Sequence, residues 1–174
     1  MGVHDFSINP KIEDLKNLEK PSESEVLEAV KTLLRWTGDN PDRDGLKDTP
    51  KRVLKAYGEW FKGYDENPTA LLSKTFEEVQ GYNDWVVLDS IRVESYCEHH
   101  LAPIIGVAKV GYLPDGLVVG ISKLVRVVNA YSKRLQIQER LTREIGLAIH
   151  ETLNPKSVAV AIKAEHHCMC TRGV

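Results

Sequence analysis

The amino-acid sequence predicts an α+β fold in which helices precede a sheet. From residue 22 to residue 63, apolar side chains recur at the three- and four-residue spacing of amphipathic helices. From Trp85 onward, runs rich in valine and isoleucine are typical of strands, and two further helical stretches interrupt them. The predicted order is strand, strand, helix, helix, strand. We therefore separate an N-terminal helical segment, 1–84, from a region of strands and helices, 85–174.

The N-terminal segment begins with residues 1–20, which are polar and have only a thin apolar pattern, so we expect a short helix or a loose arm. A clearer helix follows, because Ser22 and Glu25 have the spacing of a capping box before an apolar helical repeat. Gly38 is expected to end this helix, and the polar run 40–45 is predicted to be a loop.

A second helix is predicted to start with Thr49 as its cap and Pro50 in its first turn, and to end at Gly63. Arg52 and Lys55 lie near its electropositive N-terminal end, where they are either solvated surface or part of an anion site. The side chains expected to be buried share one face: Val53, Leu54, Tyr57, Trp60 and Phe61.

The elements of the second region are assigned from their composition and their turn residues. In chain order they are strands 85–96 and 104–113, a turn at 114–116, a short strand 117–120, a helix that Ser122 can cap, a helix 138–153 and a strand 157–164. In the second of these helices the inward side chains are Leu141, Ile145, Ala148 and Ile149. The sequence ends where a strand or turn is expected to continue, which suggests either a truncation or a further tail.

The charge balance and the cysteine content limit the classes of function. With 23 basic and 25 acidic residues the net charge is −2, so no long-range field attracts nucleic acid or anionic lipid, and a bound anion needs a local cluster of cations. No apolar run approaches the roughly 20 residues of a membrane span, and the N-terminus has no secretory signal. We therefore expect a cytoplasmic protein whose three cysteines stay reduced and are candidates for metal binding.

Two short clusters hold all three cysteines and four of the six histidines: the first cluster, Cys97–His100, and the second cluster, His166–Cys170. Thiolate and imidazole are the ligands that zinc prefers, so the clusters together predict a zinc site. The spacing lets Cys97 and His100 reach one ion. The spacing does not decide which residue of the second cluster completes the ligand set. If that cluster were a strand, three of its side chains would lie on one face: His166, Cys168 and Cys170. The surplus of candidate ligands favours a catalytic zinc, which keeps one position for water, over a structural zinc.

A second group of polar residues lies between the clusters in sequence. Three of its members occupy the first turns of a predicted helix: Ser122, Lys123 and Arg126. The free N–H groups and the dipole of such a helix start attract anions. Glu139, next to Gln138, opens the following helix, where it either favours the helix start or accepts the paired N–H donors of a guanine edge. Arg172 either adds charge beside the second cluster or is surface.

Six motifs, in one order and with compatible gaps, resemble those of the GTP cyclohydrolase I family. The likeness extends from about Ser22 to the end of the sequence. The motifs are DTPKRV at 48–53, CEHHLAP at 97–103, GYLP at 111–114, GISKLVR at 120–126, RLQIQERLT at 134–142 and CMCTRG at 168–173.

The resemblance implies a tunnelling fold (T-fold), in which an antiparallel sheet carries two helices on one face and follows an N-terminal helical segment. It implies a toroidal homodecamer with sites at subunit interfaces. It also implies that zinc is bound by Cys97, His100 and Cys168, with a water in the fourth position, which leaves Cys170 outside the ligand set. Family members usually continue beyond Val174 with another strand, so an absent tail would leave one sheet edge open.

The implied reaction converts GTP and water into 7,8-dihydroneopterin triphosphate and formate, at the entry to folate or pterin synthesis. Zinc would lower the pKa of its bound water toward about 7, so that it can attack purine C8. By resemblance, His166 protonates the imidazole ring of the purine and His99 assists, since histidine exchanges protons near neutral pH. Ser122 helps to open and rearrange the ribose, and Glu139, supported by Gln138, holds the guanine edge. The triphosphate is expected to contact a set of cations: Lys123, Arg126, Arg172, Arg52 and Lys55.

Two other interpretations are compatible with the residues. A structural zinc module for assembly or partner binding would have four protein ligands and would unfold on chelation. Another enzyme with the T-fold would act on a pterin or a deazapurine and would release no formate.

Overall fold

The computed structural model describes residues 19–76 and 84–173, and the chain divides into two compact units, Met1–Glu59 and Trp60–Val174. The arm predicted for residues 1–20 lies outside the described residues except for its last two. The mixture of helices and strands confirms the predicted α+β class. Within the described ranges, no helix has both the length and the apolar character needed to cross a lipid bilayer.

Helix α1, Glu23–Trp36, begins at the predicted capping box. The Ser22 N–H donates to Glu25 Oε2 over 2.8 Å, and the Glu25 N–H donates to the Ser22 hydroxyl over 3.4 Å. Gly38 follows the helix with a φ of +91°, a conformation that glycine adopts without strain. The predicted start and end are therefore confirmed. None of the helix side chains is buried, however, and Trp36 is 87% exposed.

Helix α2, Thr49–Trp60, starts at Thr49 itself, so the prediction that Thr49 precedes the helix as its cap is wrong by one position. Pro50 lies in the first turn as predicted. The expected buried face is only partly covered, since Tyr57 and Trp60 are 37% and 39% exposed. Burial was wrongly predicted for these two residues, because periodicity shows which side chains share a face and not whether another surface covers it.

Gly63 does not end helix α2, which stops earlier, at Trp60. It lies in a 3-10 helix, Lys62–Asp65, which was not predicted. A Cβ atom at this position would lie 2.2 Å from the Ala130 carbonyl oxygen, and the Gly63 N–H donates to the Lys133 carbonyl over 3.1 Å. The close approach of two backbones requires glycine here. A short helix, α3, Pro68–Leu71, follows.

The strands are β1, Thr75–Phe76; β2, Val86–Cys97; β3, Pro103–Leu113; β4, Val118–Val119; β5, Leu135–Gln136; and β6, Ser157–His166. Four of them form one sheet in the order β5–β2–β3–β6, and β1 pairs with β4 separately. Within the sheet, β2–β3 and β3–β6 are antiparallel, whereas β5 runs parallel to the end of β2. Strands β2, β3, β4 and β6 correspond to predicted strands; the two-residue strands β1 and β5 were not predicted.

Helices α4, Ile121–Ser132, and α5, Gln138–Leu153, contact each other; α4 packs against β2 and α5 packs against β6. Helix α5 has the predicted bounds. The prediction that Ser122 caps α4 is wrong, because Gly120 occupies the cap position without a side-chain hydrogen bond. The chain already turns there, since the Lys123 N–H donates to the Gly120 carbonyl over 2.8 Å. Ser122 therefore lies inside the first turn.

The core of the second unit is formed by the sheet and by helices α4 and α5. Its fully buried apolar side chains include Val93, Val110, Leu124, Val127, Val128, Leu141, Ile145, Ile149 and Leu153. Tyr112 is also fully buried, and its hydroxyl accepts the Val119 N–H over 3.1 Å. Since each buried large apolar side chain contributes about 1.5–3 kcal/mol, this core is the main source of stability in the unit. The inward residues predicted for α5 are confirmed.

Strand β6 pairs along its full length with β3, from Ser157 opposite Leu113 to His166 opposite Ile104. At Gly106 the two backbones are so close that a Cβ atom would lie 2.1 Å from the Lys163 carbonyl oxygen. The register places the end of β6 beside the start of β3, where both histidine-containing clusters are found.

Candidate active site

The first cluster forms the turn between β2 and β3. Cys97 is the last residue of β2; its N–H donates to the Ala102 carbonyl and its carbonyl accepts the Leu101 N–H, both over 2.8 Å. Leu101 has a φ of +55°, in the left-handed region that non-glycine residues seldom adopt. The turn is thus closed by its own backbone, which fixes Cys97 relative to His100.

The second cluster begins where β6 ends, next to this turn. The chain leaves the strand at His166 and forms a short helix, α6, His167–Cys170. The strand alternation assumed for the second cluster is therefore wrong. The helix turns Cys168 into a buried position and leaves Cys170 exposed.

Three side chains from the two clusters converge: Cys97, His100 and Cys168. Their potential ligand atoms all lie within 4.8 Å of one another. Cys97 Sγ is 3.8 Å from His100 Nδ1, close to the separation of about 3.6 Å that sulfur and nitrogen ligands have around tetrahedral zinc. Two thiols and one imidazole form a donor set suited to zinc, and these three residues are the ones that the resemblance implies. The group could hold a metal ion with small adjustments.

The two sulfur atoms of this group have apolar surroundings. Cys97 and Cys168 are 5% and 7% exposed and pack with Ile104, Ala102 and Ala164. Burial, followed by the hydrogen bond to Cys97 and the charge there, raises the pKa of the Cys168 thiol. A bound cation would counteract this effect, because metal coordination requires the thiolate form.

Both histidines of the first cluster lie near Cys97. His99 Nδ1 is 3.9 Å from Cys97 Sγ, and the rings of His99 and His100 meet edge to face. On its other side His100 is contacted by Arg172, whose Nη1 is 3.0 Å from His100 Nε2. A guanidinium can only donate, so this contact requires a lone pair on His100 Nε2. If Nδ1 instead binds a metal ion, the proton of the neutral imidazole lies on Nε2, which then has no lone pair to accept from Arg172. Metal binding through Nδ1 therefore requires Arg172 to turn away from His100.

His166 is held by Gln138, at the start of α5. The Gln138 amide Nε2 donates to the Ile162 carbonyl over 3.1 Å, which directs the amide oxygen to His166 Nε2 at 2.8 Å. His166 Nε2 therefore donates, and Nδ1 is the nitrogen left for proton exchange in this arrangement. Sequence reasoning assigned Gln138 to the substrate and missed this contact, since no local pattern connects residues so far apart.

Glu98 and Arg140 were also missed as parts of the site. They form an ion pair that joins the first cluster to the first turn of α5, next to the exposed Glu139. The motif containing Arg140 was noted in the sequence, but nothing in its spacing indicated a partner in the first cluster.

Of the predicted cations of the second unit, Lys123 and Arg126 lie on α4, whereas Arg172 follows α6. Lys123 is half-buried in the first turn of α4, and Arg126 is exposed one turn later. Arg126 lines a cavity of about 570 Å³ together with three further cations and two carboxylates: Lys62, Arg92, Lys133, Glu66 and Glu94. Because cations outnumber carboxylates, the cavity has the charge that an anionic group needs.

The other two predicted cations, Arg52 and Lys55, lie in the unit Met1–Glu59. Both are exposed on helix α2, and Arg52 lies 3.7 Å from Asp48, in the preceding turn. An exposed ion pair of this kind contributes little, at most about 1 kcal/mol, so Arg52 can readily exchange Asp48 for another anion.

Comparison with known proteins decides the family. The family model described as GTP cyclohydrolase I matches residues 26–174. The chain belongs to the GTP cyclohydrolase I family. The resemblance noted in the sequence is confirmed, and the matched range contains every residue predicted for the site.

Curated members of the GTP cyclohydrolase I family are similar over most of their length. The chain is 60% identical over 155 residues to GTP cyclohydrolase 1 of Maricaulis maris (strain MCS10), which covers 89% of this chain and 76% of that relative. It is 58% identical over 158 residues to GTP cyclohydrolase 1 of Hyphomonas neptunium (strain ATCC 15444), covering 91% of this chain and 77% of the relative.

Proposed function

We propose that the protein hydrolyses GTP and rearranges it to 7,8-dihydroneopterin triphosphate and formate, the first step of folate or pterin biosynthesis. Membership of the GTP cyclohydrolase I family supports this activity and its assignment as a hydrolase. The observation that carries the chemistry is the convergence of Cys97, His100 and Cys168 beside two further histidines, His99 and His166.

The fold proposed for this activity is the T-fold, in residues 85–174, with both helices on one face of the sheet. The antiparallel β2–β3–β6 arrangement supports it, as do the contacts of α4 with β2, of α5 with β6 and of the two helices with each other. Residues 1–84 would form the preceding helical segment.

The proposed metal is zinc, held by Cys97, His100 and Cys168. When bound, it would supply a water molecule whose pKa is lowered toward about 7 and which can attack purine C8. The protein ligands orient this chemistry through the closed turn at Cys97 and through burial of both sulfur atoms. Cys170, exposed on α6, would take no part in binding the ion.

His166 is the proposed proton donor to the imidazole ring of the purine. Gln138 supports this role because its amide oxygen fixes the imidazole ring and leaves Nδ1 free to exchange a proton. His99 would assist from the first cluster. Ser122 would act on the ribose; its position inside the first turn of α4, rather than at the cap, leaves the hydroxyl free of a capping role.

Substrate recognition is proposed to use a carboxylate for the base and cations for the phosphates. Glu139 would accept the paired N–H donors of the guanine edge, supported by the neighbouring Gln138, which also hydrogen-bonds His166. The triphosphate would contact Lys123, Arg126, Arg172, Arg52 and Lys55. The cationic cavity lined by Arg126 supports the role of that residue.

We also propose a homodecamer in which a site draws residues from more than one subunit. The exposed apolar side chains of α1 and α2, Leu33, Trp36, Tyr57 and Trp60, are compatible with such an assembly. Light scattering of the purified protein would measure the subunit number, and a monomer with full activity would contradict shared sites.

The activity is tested by incubating the purified, zinc-loaded protein with GTP. We expect formate release, together with a product that becomes a fluorescent pterin on oxidation. Absence of formate from protein that contains zinc would refute the proposed reaction. A panel of pterins and deazapurines separates other T-fold chemistry, because only attack at C8 of GTP releases formate.

A structural zinc module is distinguished by its coordination. Anomalous scattering at the zinc edge, combined with a count of protein ligands, is expected to show three protein ligands. Four protein ligands around the ion would favour the structural role.

A further inference from the structure

The guanidinium of Arg140, at the start of α5, connects strand β5 with Glu98 of the first cluster. Its Nε donates to Gln136 Oε1 over 3.0 Å, and its Nη2 donates to the Leu135 carbonyl over 3.0 Å. The same Nη2 pairs with the Glu98 carboxylate. The Arg140 side chain is 16% exposed and that of Glu98 is 32% exposed, so solvent screens this pair less than a surface pair.

The anchor of Arg140 is itself rigid. Gln136 is fully buried, and its amide donates to the Tyr131 carbonyl over 3.0 Å and to Glu144 Oε2 over 2.8 Å. These two donor bonds fix the amide so that Oε1 faces Arg140. Hydrogen bonds to β5 therefore orient the Arg140 guanidinium independently of its ion pair with Glu98.

Glu98 lies between the proposed ligands of the first cluster. Its N–H donates to the Gln136 carbonyl over 3.1 Å, and its side chain pairs with Arg140. Backbone and side chain of one residue thus attach the cluster to β5 and to the start of α5. A neighbouring pair of hydrogen bonds attaches His166 to the same helix start through Gln138.

We infer that Arg140 is a positioning residue: its pair with Glu98 fixes the turn carrying Cys97 and His100 at a set distance and direction from Glu139. The inference rests on the proposed function, in which the ion and the guanine-binding carboxylate act on one substrate. A geometry of this kind matters because misplacement by about 1 Å can lower a rate by about 100-fold. Partners that orient metal ligands have comparable effects of about 10–100-fold.

The test compares Arg140→Gln, Glu98→Gln and the double variant in the full-length, zinc-loaded protein. Arg143→Gln, an exposed change one turn further along α5, is the matched control. We expect the kcat of formate release to fall about 10–100-fold in each single variant, with KM for GTP changed less than about threefold. The double variant should lose no more than the worse single variant, because the two residues act as one pair. Arg143→Gln should stay within about twofold of the parent.

Cobalt substitution gives a second readout that does not depend on the substrate. Co²⁺ absorbs visibly when thiolates bind it, so a reoriented turn should shift the absorption bands of Arg140→Gln and Glu98→Gln but not those of Arg143→Gln. Arg140→Lys keeps the positive charge but loses the planar set of N–H donors of the guanidinium. Its kcat should therefore lie between those of Arg140→Gln and the parent. If Arg140→Gln does not fold, Arg140→Lys and Glu98→Gln carry the same comparison.

Unchanged Co²⁺ spectra and a kcat within twofold of the parent, even with a lower melting temperature, would show that the pair only stabilises the fold. Additive losses in the double variant would also overturn the inference. If the parent itself releases no formate, the proposed function fails, whereas the Co²⁺ comparison still decides whether Arg140 orients the turn.

Discussion

Helices α1 and α5 have similar amphipathic sequences, but they are stabilised in different ways. Helix α1 has a complete capping box and no buried side chain. Helix α5 has no side-chain cap, yet it fully buries Leu141, Ile145 and Ile149 against the core. The comparison teaches that an apolar repeat predicts a helix and its inner face, whereas burial depends on what the rest of the molecule, or another molecule, places against that face.

The two compact units differ in chemistry as well. All proposed metal ligands and proton donors lie in Trp60–Val174, at strand ends and helix starts that the core positions. Of the residues proposed for the site, the unit Met1–Glu59 contains Arg52 and Lys55, both exposed on α2. If this division is correct, changes in the second unit should affect reaction and stability strongly, and changes in the first should affect substrate affinity or local helix stability.

The largest effect is expected from the ligands themselves. Cys97→Ala or Cys168→Ala should abolish metal binding and reduce formate release by at least about 1,000-fold, since a site with two remaining ligands no longer activates water. Cys170→Ala, the matched change on the exposed side of α6, should retain both. Metal content by mass spectrometry and formate release measure the outcome. Loss of zinc in Cys170→Ala alone would show that the ligand assignment is wrong.

The next largest effect is a difference in stability between a substitution in α5 and one in α1. Ile145→Ala in α5 should lower the free energy of unfolding by about 2–5 kcal/mol, because it leaves a cavity in a closed core. Leu33→Ala in α1, where the side chain is 63% exposed, should change it by less than about 0.5 kcal/mol. Urea denaturation monitored by circular dichroism measures both. Equal losses would break the comparison and would indicate that Leu33 is covered in the assembled protein.

A smaller effect is expected from the cations of the first unit. Arg52→Ala should raise KM for GTP by about 10- to 100-fold and leave kcat nearly unchanged, because a lost charge-assisted contact to phosphate is worth about 1.5–3 kcal/mol. Lys51→Ala, the adjacent exposed change, should leave KM within about twofold. Steady-state kinetics at fixed ionic strength distinguish them. An equal response to both changes would point to overall charge rather than a specific contact.

The smallest effect is expected at the capping box. Ser22→Ala removes the side-chain acceptor for the first turn of α1 and should destabilise that helix by about 1 kcal/mol. Hydrogen exchange of the α1 amides should accelerate, while formate release stays at the parental rate. A reduced kcat in this variant would mean that α1 contributes to the reaction in a way that the two-unit division does not include.

Local patterns in the sequence were sufficient for most elements. The capping box at Ser22 and the bounds of α5 were predicted correctly, because both depend on residues within a few positions of each other. Errors arose where a neighbouring backbone decided the outcome. Gly63 was interpreted as a helix stop but serves close packing, and the alternation considered for the second cluster is replaced by a short helix that follows His166.

The residues of the site were predictable to different degrees. The two clusters were visible in composition alone, and the resemblance to the family named three ligands that the structure brings together. The contacts of Gln138 with His166 and of Arg140 with Glu98 were not predictable, because each joins residues that only the folded sheet places side by side. Single-sequence patterns carry no information about such long-range pairs.

The glycine at position 106 lets β3 and β6 approach closely near the end of the sheet that carries the two clusters. Strands β3 and β6 approach each other closely there, two residues along the ladder from the pair of Ile104 and His166. A methyl group at Gly106 would have to push the strands apart, and the displacement would travel along the ladder to the histidine at its end. Such a variant would retain every proposed reacting side chain and would still have a reduced kcat, because the distance between His166 and the first cluster would have changed.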